Sequence, residues 1–473
     1  MQIGSKRSNS GDEYVFIDGK AMTASEAARF QLTDADTAPV PGQEEAASVP
    51  GAAQAAKAAG KGKVKGKGKR KWNAKKAFDE LDSGDAFELT DEAKQGLASF
   101  SSIMEEDKRH TRRTYAIMAV ILVLITAFNL CISSDVEGVV YSPLTVIQVM
   151  GMRIKITFGM ITGADWYDPA TTLAQVNQEM PAYSDLNLRF DITFVTIVCG
   201  LLLALSGMMY QNVFKNPIAA PSMLGVSAGV RIGTIILVVI YGTAAATMNG
   251  TRYVFCYIGG TVIILSVIGF SKLIAGKHRH INVVDMLIVG SVLSQVLSTV
   301  SMYFLTEVMD DELYEVFYEI TSGARADASL YVYAMLAFVF LISVVPVFLM
   351  RFRMNATAFS DGEVRVLGVD PERLRVFVLI MGTVMILAAQ IHAGVISMIA
   401  LVVPFLVRYV VGSEFGKQMV GNMLLGPASL LLCRAICGLI PFVGAGLSLD
   451  MVVGFVALPF YIWMMALGRK GWE

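Results

Sequence analysis

From Thr114 to the C-terminus, apolar residues come in runs of about 20, the length that crosses a bilayer core, separated by short polar connections. Ten such runs stand out: 114–133, 189–210, 222–241, 252–273, 283–307, 329–350, 374–391, 394–403, 419–440 and 450–467. The eighth is too short to cross as one straight helix, and such a segment is tolerated only where protein or a cavity surrounds it. The pattern predicts an all-α, multi-pass membrane protein with about ten transmembrane helices over 114–473. Residues 1–113 follow no such pattern, being polar and rich in Ala, Gly and Lys, and are expected to form a disordered extension.

Charge in the connections sets the orientation. "EEDKRHTRR" precedes the first run, "SKLIAGKHRH" follows the fourth, "RFRMNATAFSDGEVRVLGVDPERLR" follows the sixth, and "GRKGWE" ends the chain. Lys and Arg favour the cytoplasmic side, which puts these segments and both termini inside. The acidic "EVMDDELYEVFYEITSGARAD" and the sparsely basic 134–188 and 441–449 then lie outside. Within 134–188, "SPLTVIQVMGMRIKITFGMITG" suits a helix on the outer surface, because Arg153 and Lys155 argue against a crossing.

Composition agrees: 54% of the 473 residues are hydrophobic and 17% charged. All five cysteines lie in apolar runs, as small packing residues, and no His or carboxylate joins them at a metal-ligand spacing. No metal site and no bound cofactor is expected. The extension holds "KAAGKGKVKGKGKRKWNAKK", with ten basic residues and no acid, followed by the acidic "DELDSGDAFELTDE". Such a run is either a solvated tail neutralised by its neighbour or a ligand for anionic membrane lipids, worth about 1 kcal/mol per basic residue near the surface. Nucleic acid is the weaker reading, because the lone Trp72 makes no aromatic interleaving of the charges.

The stretch "QNVFKNPIAAPSMLGVSAGV" turns through two prolines directly after the second run and enters the next through small residues. With "GLLLALSGMMYQ" before it, "VLGVDPERLRVFVLIMGTVMILAAQIHAGVISMIALVVPFLVRYVVG" later and "VALPFYIWMM" near the end, it resembles, in order, the FecCD-type permeases of importers for iron-siderophores, haem and vitamin B12. The resemblance covers about 114–470. It implies a vitamin B12 importer permease-like fold, in a bacterial cytoplasmic membrane, paired as a homodimer or with a paralogous permease. It also implies an extracytoplasmic substrate-binding protein and a separate ABC ATPase subunit that binds the ATP. This chain carries no GxxxxGK[ST] phosphate loop and is expected not to be an enzyme.

Site residues follow from the same resemblance. Gln211, Asn216, Pro217, Gly225, Ser227 and Gly229 are expected to pack the pathway helices. Arg231, a charge inside a span, either meets an anionic ligand or pairs with a neighbouring carboxylate or helix end. Val402–Gln418 is expected to break at Pro404 into a short cytoplasmic helix docking the ATPase through Leu406, Val407, Tyr409 and Val410, with Arg408 pairing and Gly412 closing it. Arg189 is the one retained arginine of the family's outer docking pair, Asp191 and Ile192 standing at the next two matching positions. Asp450 sits at a span start, where the helix dipole favours an acid. Two other readings compete: an ion-driven secondary transporter, and a membrane anchor acting through its basic tail. Deleting residues 1–105 separates the last from the importer: transport persists for an importer and function disappears for a tether.

Overall fold

The structure, a computed structural model, describes residues 3–7, 13–17, 20–23, 91–131, 140–163, 168–276, 283–321, 330–359, 361–439 and 449–471. It divides into two compact units, Met1–Lys108 with Gly471–Glu473, and Arg109–Lys470. The first contains a small antiparallel sheet of order β1 (Ile3–Arg7), β2 (Glu13–Ile17) and β3 (Lys20–Thr23). Ile3 pairs with Ile17, and Tyr14 with Thr23. The sequence suits these strands: "EYVFI" concentrates the β-branched and aromatic residues that fit a pleated surface. The basic run 57–76 lies outside the described residues.

The second unit is a helical bundle. Helix α1 (Asp91–Cys131) begins well before Thr114, because the Glu-, Lys- and Ala-containing stretch ahead of the span continues the helix. Then follow α2 (Pro143–Thr162), α3 (Pro169–Glu179), α4 (Ala182–Phe214), α5 (Val226–Tyr241), α6 (Asn249–Ala275), α7 (Val283–Tyr303) and α8 (Asp311–Thr321). Helix α9 (Leu330–Val339) runs through a π turn into Val345–Leu349, and α10 (Pro371–Ala393), α11 (Ile399–Val411), α12 (Phe415–Leu439) and α13 (Leu449–Gly471) complete the chain. Among the described residues nine helices are long and apolar enough to cross a membrane, and two shorter apolar ones, Ile399–Val411 and Leu449–Trp463, join them.

Two boundaries move relative to expectation. Helix α2 is itself long and apolar enough to span. Its Arg153 is not left to lipid: the guanidinium pairs with Asp191 of α4, which also accepts from the Tyr333 hydroxyl, and donates to Asn187 O at 3.0 Å. The short eighth run is Ile399–Val411 rather than 394–403, because Gly394, at φ 87°, ends α10 and 394–398 form the turn.

Helix α4 is the centre. From Cys199 to Phe214 nearly every side chain is buried, and α10, α11 and α12 pack around it. A helix apolar on all sides belongs in such a place. Hydrophobic side chains on α1, α6, α7 and α13 remain exposed, among them Leu124, Ile258, Val292 and Phe455, as suits surfaces facing acyl chains. Since lipid is as apolar as leucine, close backbone packing must hold the helices together, and glycines provide it. A Cβ on Gly229 of α5 would sit 2.7 Å from Gly259 O of α6; one on Gly200 of α4 would sit 2.8 Å from Gly426 O of α12. One on Gly207 of α4 would run into Ala400 O of α11.

Gly229→Val is expected to lower the unfolding midpoint of the detergent-solubilised protein by the equivalent of about 1–3 kcal/mol or to abolish folding. Gly269→Val, at a position with open space around it, is expected to change it little. Equal midpoints for the two variants would refute the backbone-contact account.

Candidate functional site

The turn after α4 does not stay at the end of the bundle. Lys215, at φ 50°, ends α4, and its ammonium donates to Phe359 O in the segment before α10. Asn216 then folds the chain: its side-chain oxygen accepts from Ile218 N at 3.0 Å and its carbonyl from Ala219 N at 3.1 Å. After Pro217, the 3-10 turn Pro221–Leu224 ends at Gly225, at φ 80°, where a Cβ would meet Ile263 of α6 and Ser294 of α7 at 3.0 Å. Ile263 lies twelve residues before the C-terminal end of α6, about 18 Å at 1.5 Å per residue. The chain thus re-enters the bundle without a helix, and α5 starts deep inside. Gly290 of α7 leaves room for the Met223 and Leu224 backbone there.

The polar residues at the turn bond to neighbouring helices rather than line an opening. Gln211 Nε2 donates to Leu401 O of α11 at 2.8 Å. That carbonyl lies beside Pro404, which runs in the interior of α11 and lacks the N–H that Ala400 O would otherwise accept. Gly207 backs directly onto Ala400 O. One helix face of α4 therefore covers the weakened ladder of α11 at two adjacent carbonyls. Ser227 accepts from Gln390 Nε2 of α10 at 2.7 Å, and Asn212 donates to Gln418 Oε1 of α12 at 3.0 Å.

Two expected sites change. Pro404 does not break α11, which is continuous over Ile399–Val411. The helix is no free docking helix: Val403, Pro404 and Val407 are buried, Val407 fills the space over Gly421 of α12, and Leu406 and Arg408 are half-buried. Tyr409 is 62% exposed but sets its ring edge 5.3 Å from Trp463 of α13. Gly412, at φ 98°, caps the helix by donating to Arg408 O. Arg189 is likewise withdrawn from the outer surface. It is 6% exposed, bonded to Asp185 at 2.7 Å and stacked 4.6 Å over the Tyr141 ring. With its charge taken up by Asp185, one helical turn before it, it cannot present itself to a docking protein without breaking that pair. Burial, then the Asp185 carboxylate, holds the Tyr141 phenol above its ordinary range.

The segment between α9 and α10 supplies what α11 does not. Arg351–Met354, Asn355–Ala358 and Asp361–Val366 are short helical turns carrying apolar side chains into the open. Val366 is 88% exposed, Phe352 72%, and Leu367 and Phe359 are also exposed. The sequence signal was the large apolar residues, Phe352, Phe359, Val366 and Leu367 among them, inside "RFRMNATAFSDGEVRVLGVDPERLR", a run too charged to enter lipid. This surface joins the start of α12, because Asn355 Oδ1 accepts from Phe415 N at 2.9 Å. At the other pole a cavity of about 160 Å³ is lined by Arg231, Phe317, Tyr318 and Asp450, with the turn from Ala393 to Ile396. Asp450 is thus more than a helix-start acid. Among the described residues no cluster of three or more His, Cys, Asp or Glu could hold a metal ion.

The model of the FecCD transport family matches residues 151–466. The chain belongs to that family. Among relatives, the vitamin B12 import system permease protein of Citrobacter koseri is 26% identical over 326 residues, 67% of this chain and 92% of its own. The Fe(3+) dicitrate transport system permease protein of Escherichia coli K12 is 26% identical, over 60% of this chain and 83% of its own. The hemin transport system permease protein of Yersinia pestis is 25% identical, over 60% and 84%. A solved metal-chelate type ABC transporter in an inward-facing conformation superposes with a TM-score of 0.56 at 18% identity, covering 75% of this chain and 99% of that one; it shares the fold. In this FecCD member the match takes in the whole folded-back turn and the cavity, and leaves out the small sheet.

Gln211→Leu is expected to leave the Leu401 carbonyl without its donor inside the bundle and to lower stability by about 1–3 kcal/mol, read as the unfolding midpoint in detergent. Gln211→Glu is expected to be worse, since a carboxylate cannot donate to that carbonyl. A midpoint unchanged in both variants would remove Gln211 from this role.

Proposed function

We propose that this chain is the membrane-spanning permease subunit of an ATP-driven importer for an iron chelate, haem or corrinoid. The observation that carries the proposal is the family match over residues 151–466, most of the helical unit, supported by relatives named for those three cargo classes. Two permease subunits, identical or paralogous, enclose the pathway in a bacterial cytoplasmic membrane, with both termini inside. An extracytoplasmic binding protein delivers the solute. Two ATPase subunits bind and hydrolyse the ATP, so the permease itself performs no chemistry.

The ATPase docks on the exposed Phe352, Phe359, Val366 and Leu367, whose apolar area lies on a charged connection outside the membrane. An apolar patch of this kind marks a protein contact. Movement passes from there through Asn355 to the start of α12 and the end of α11. Helix α11 then acts on α4 through Gln211 and Gly207. Pro404, Leu406, Arg408, Tyr409 and Gly412 keep a role in coupling, but as the transmitting helix rather than the docked one. The binding protein sits on the opposite face, where Arg189 helps shape the surface through Asp185 and Tyr141.

The tagged chain, purified gently from its host, is expected to bring down an ATPase subunit in comparable amount. Val366→Asp with Leu367→Asp is expected to reduce that recovery at least tenfold while the permease still elutes as a folded protein. Full recovery with the double variant would refute this docking surface, and a wild-type chain that purifies alone would refute the importer.

A further inference from the structure

Arg231 lies six residues, about 9 Å, beyond Gly225 along α5, and its side chain reaches the wall of the 160 Å³ cavity. Leu305, Phe317 and Tyr318 supply an apolar wall, and the first turn of α13 supplies Asp450. The two charges lie close enough for their fields to interact. They do not close into an ion pair, and among the described residues Arg231 has no hydrogen-bond partner. A guanidinium among helices is expensive unless an anion answers it. Here the acid that lines the same space, Asp450, forms no ion pair with it, and the space is large enough for about five waters, at roughly 30 Å³ each.

We propose that Arg231 is a subsite for one carboxylate arm of the transported chelate, with Asp450 as the counter-charge that limits its hold. This rests on the importer reading above. The planar guanidinium takes a carboxylate through two parallel N–H donors, and Phe317 and Tyr318 cover the arm's carbon skeleton. The volume admits an arm and not a whole chelate, so the rest of the solute stays outside the cavity. Asp450 repels the bound carboxylate and takes up the Arg231 field once the arm leaves. A pathway site needs this balance, because binding must be favourable enough to enter and weak enough to release.

The two charges give the test opposite signs. Full-length protein in detergent is titrated with ferric dicitrate, whose arms are hydroxycarboxylates, and separately with haem, whose arms are propionates, following thermal stabilisation to obtain Kd. Arg231→Gln is expected to weaken binding at least tenfold and Asp450→Asn to tighten it several-fold. Arg231→Lys keeps the charge without the fork and is expected to fall between wild type and Arg231→Gln. Binding of one probe alone identifies the type of arm; binding of both supports the shared carboxylate chemistry. The proposal is overturned if neither probe stabilises the wild type up to millimolar concentration, or if both charge substitutions move Kd in the same direction or leave it unchanged. The ATPase subunit recovered in the same preparations judges the importer separately: its absence sinks that reading whatever the titrations give.

Discussion

Contact between bare helix backbones is the constraint on which the rest of this bundle depends. Water drives helices together in a soluble protein; acyl chains do not. Here α5 lies on α6 through Gly229 and Gly259, and α4 lies on α12 through Gly200 and Gly426 and on α11 through Gly207. At these separations dispersion and weak backbone contacts replace the missing hydrophobic drive. A side chain at any of them would push apart helices that touch nowhere more closely. The same contacts fix register, since a shift of one residue would set a side chain against a backbone carbonyl.

The two most distinctive stretches of the sequence meet at one place. The turn motif gives Gln211 and the later motif gives Pro404, and the two are almost two hundred positions apart. The proline removes a donor from α11, and α4 answers with a glycine against one carbonyl and an amide on the next. A helix with a weakened ladder bends more easily, and this one bends against a partner that holds its loosened carbonyls. Side-chain ties between α4 and its other neighbours, such as Ser206 to Gly382 O at 2.8 Å and Tyr210 to Thr383 at 2.8 Å, leave α10 without such a weak point. Of the helices around α4, α11 and α12 carry an internal proline, Pro404 and Pro427, and α11 is the one whose freed carbonyl α4 itself covers.

Much of the fold was legible because run length alone counts spans, and the small-residue motifs announce where helices touch. What escaped the sequence has specific causes. Arg189 looked like a surface arginine because its partner Asp185 and the ring of Tyr141 act only in three dimensions. Helix α11 looked like a free amphipathic helix because Pro404 reads as a break until a neighbour is seen to satisfy the carbonyls around it. Helix α2 was kept out of the bilayer by Arg153, whose partners Asp191 and Tyr333 lie far along the chain. Asp450 seemed an ordinary helix-start acid until Arg231, more than two hundred residues away, appeared across the same cavity. In each case local pattern gave the element and long-range pairing decided its use.

The folded-back turn also has an electrical consequence. Because α5 begins at Val226, deep among α6 and α7, its first unpaired amide groups point into a medium of low polarisability instead of water. A helix start carries roughly +0.5 of an elementary charge, and no acid in its first turn offsets it. Arg231 adds a full positive charge one and a half turns further along. The wall made by α5 thus faces the cavity with positive charge, and Asp450 is the carboxylate lining that same space. A solute entering there meets a dipole rather than a field of one sign.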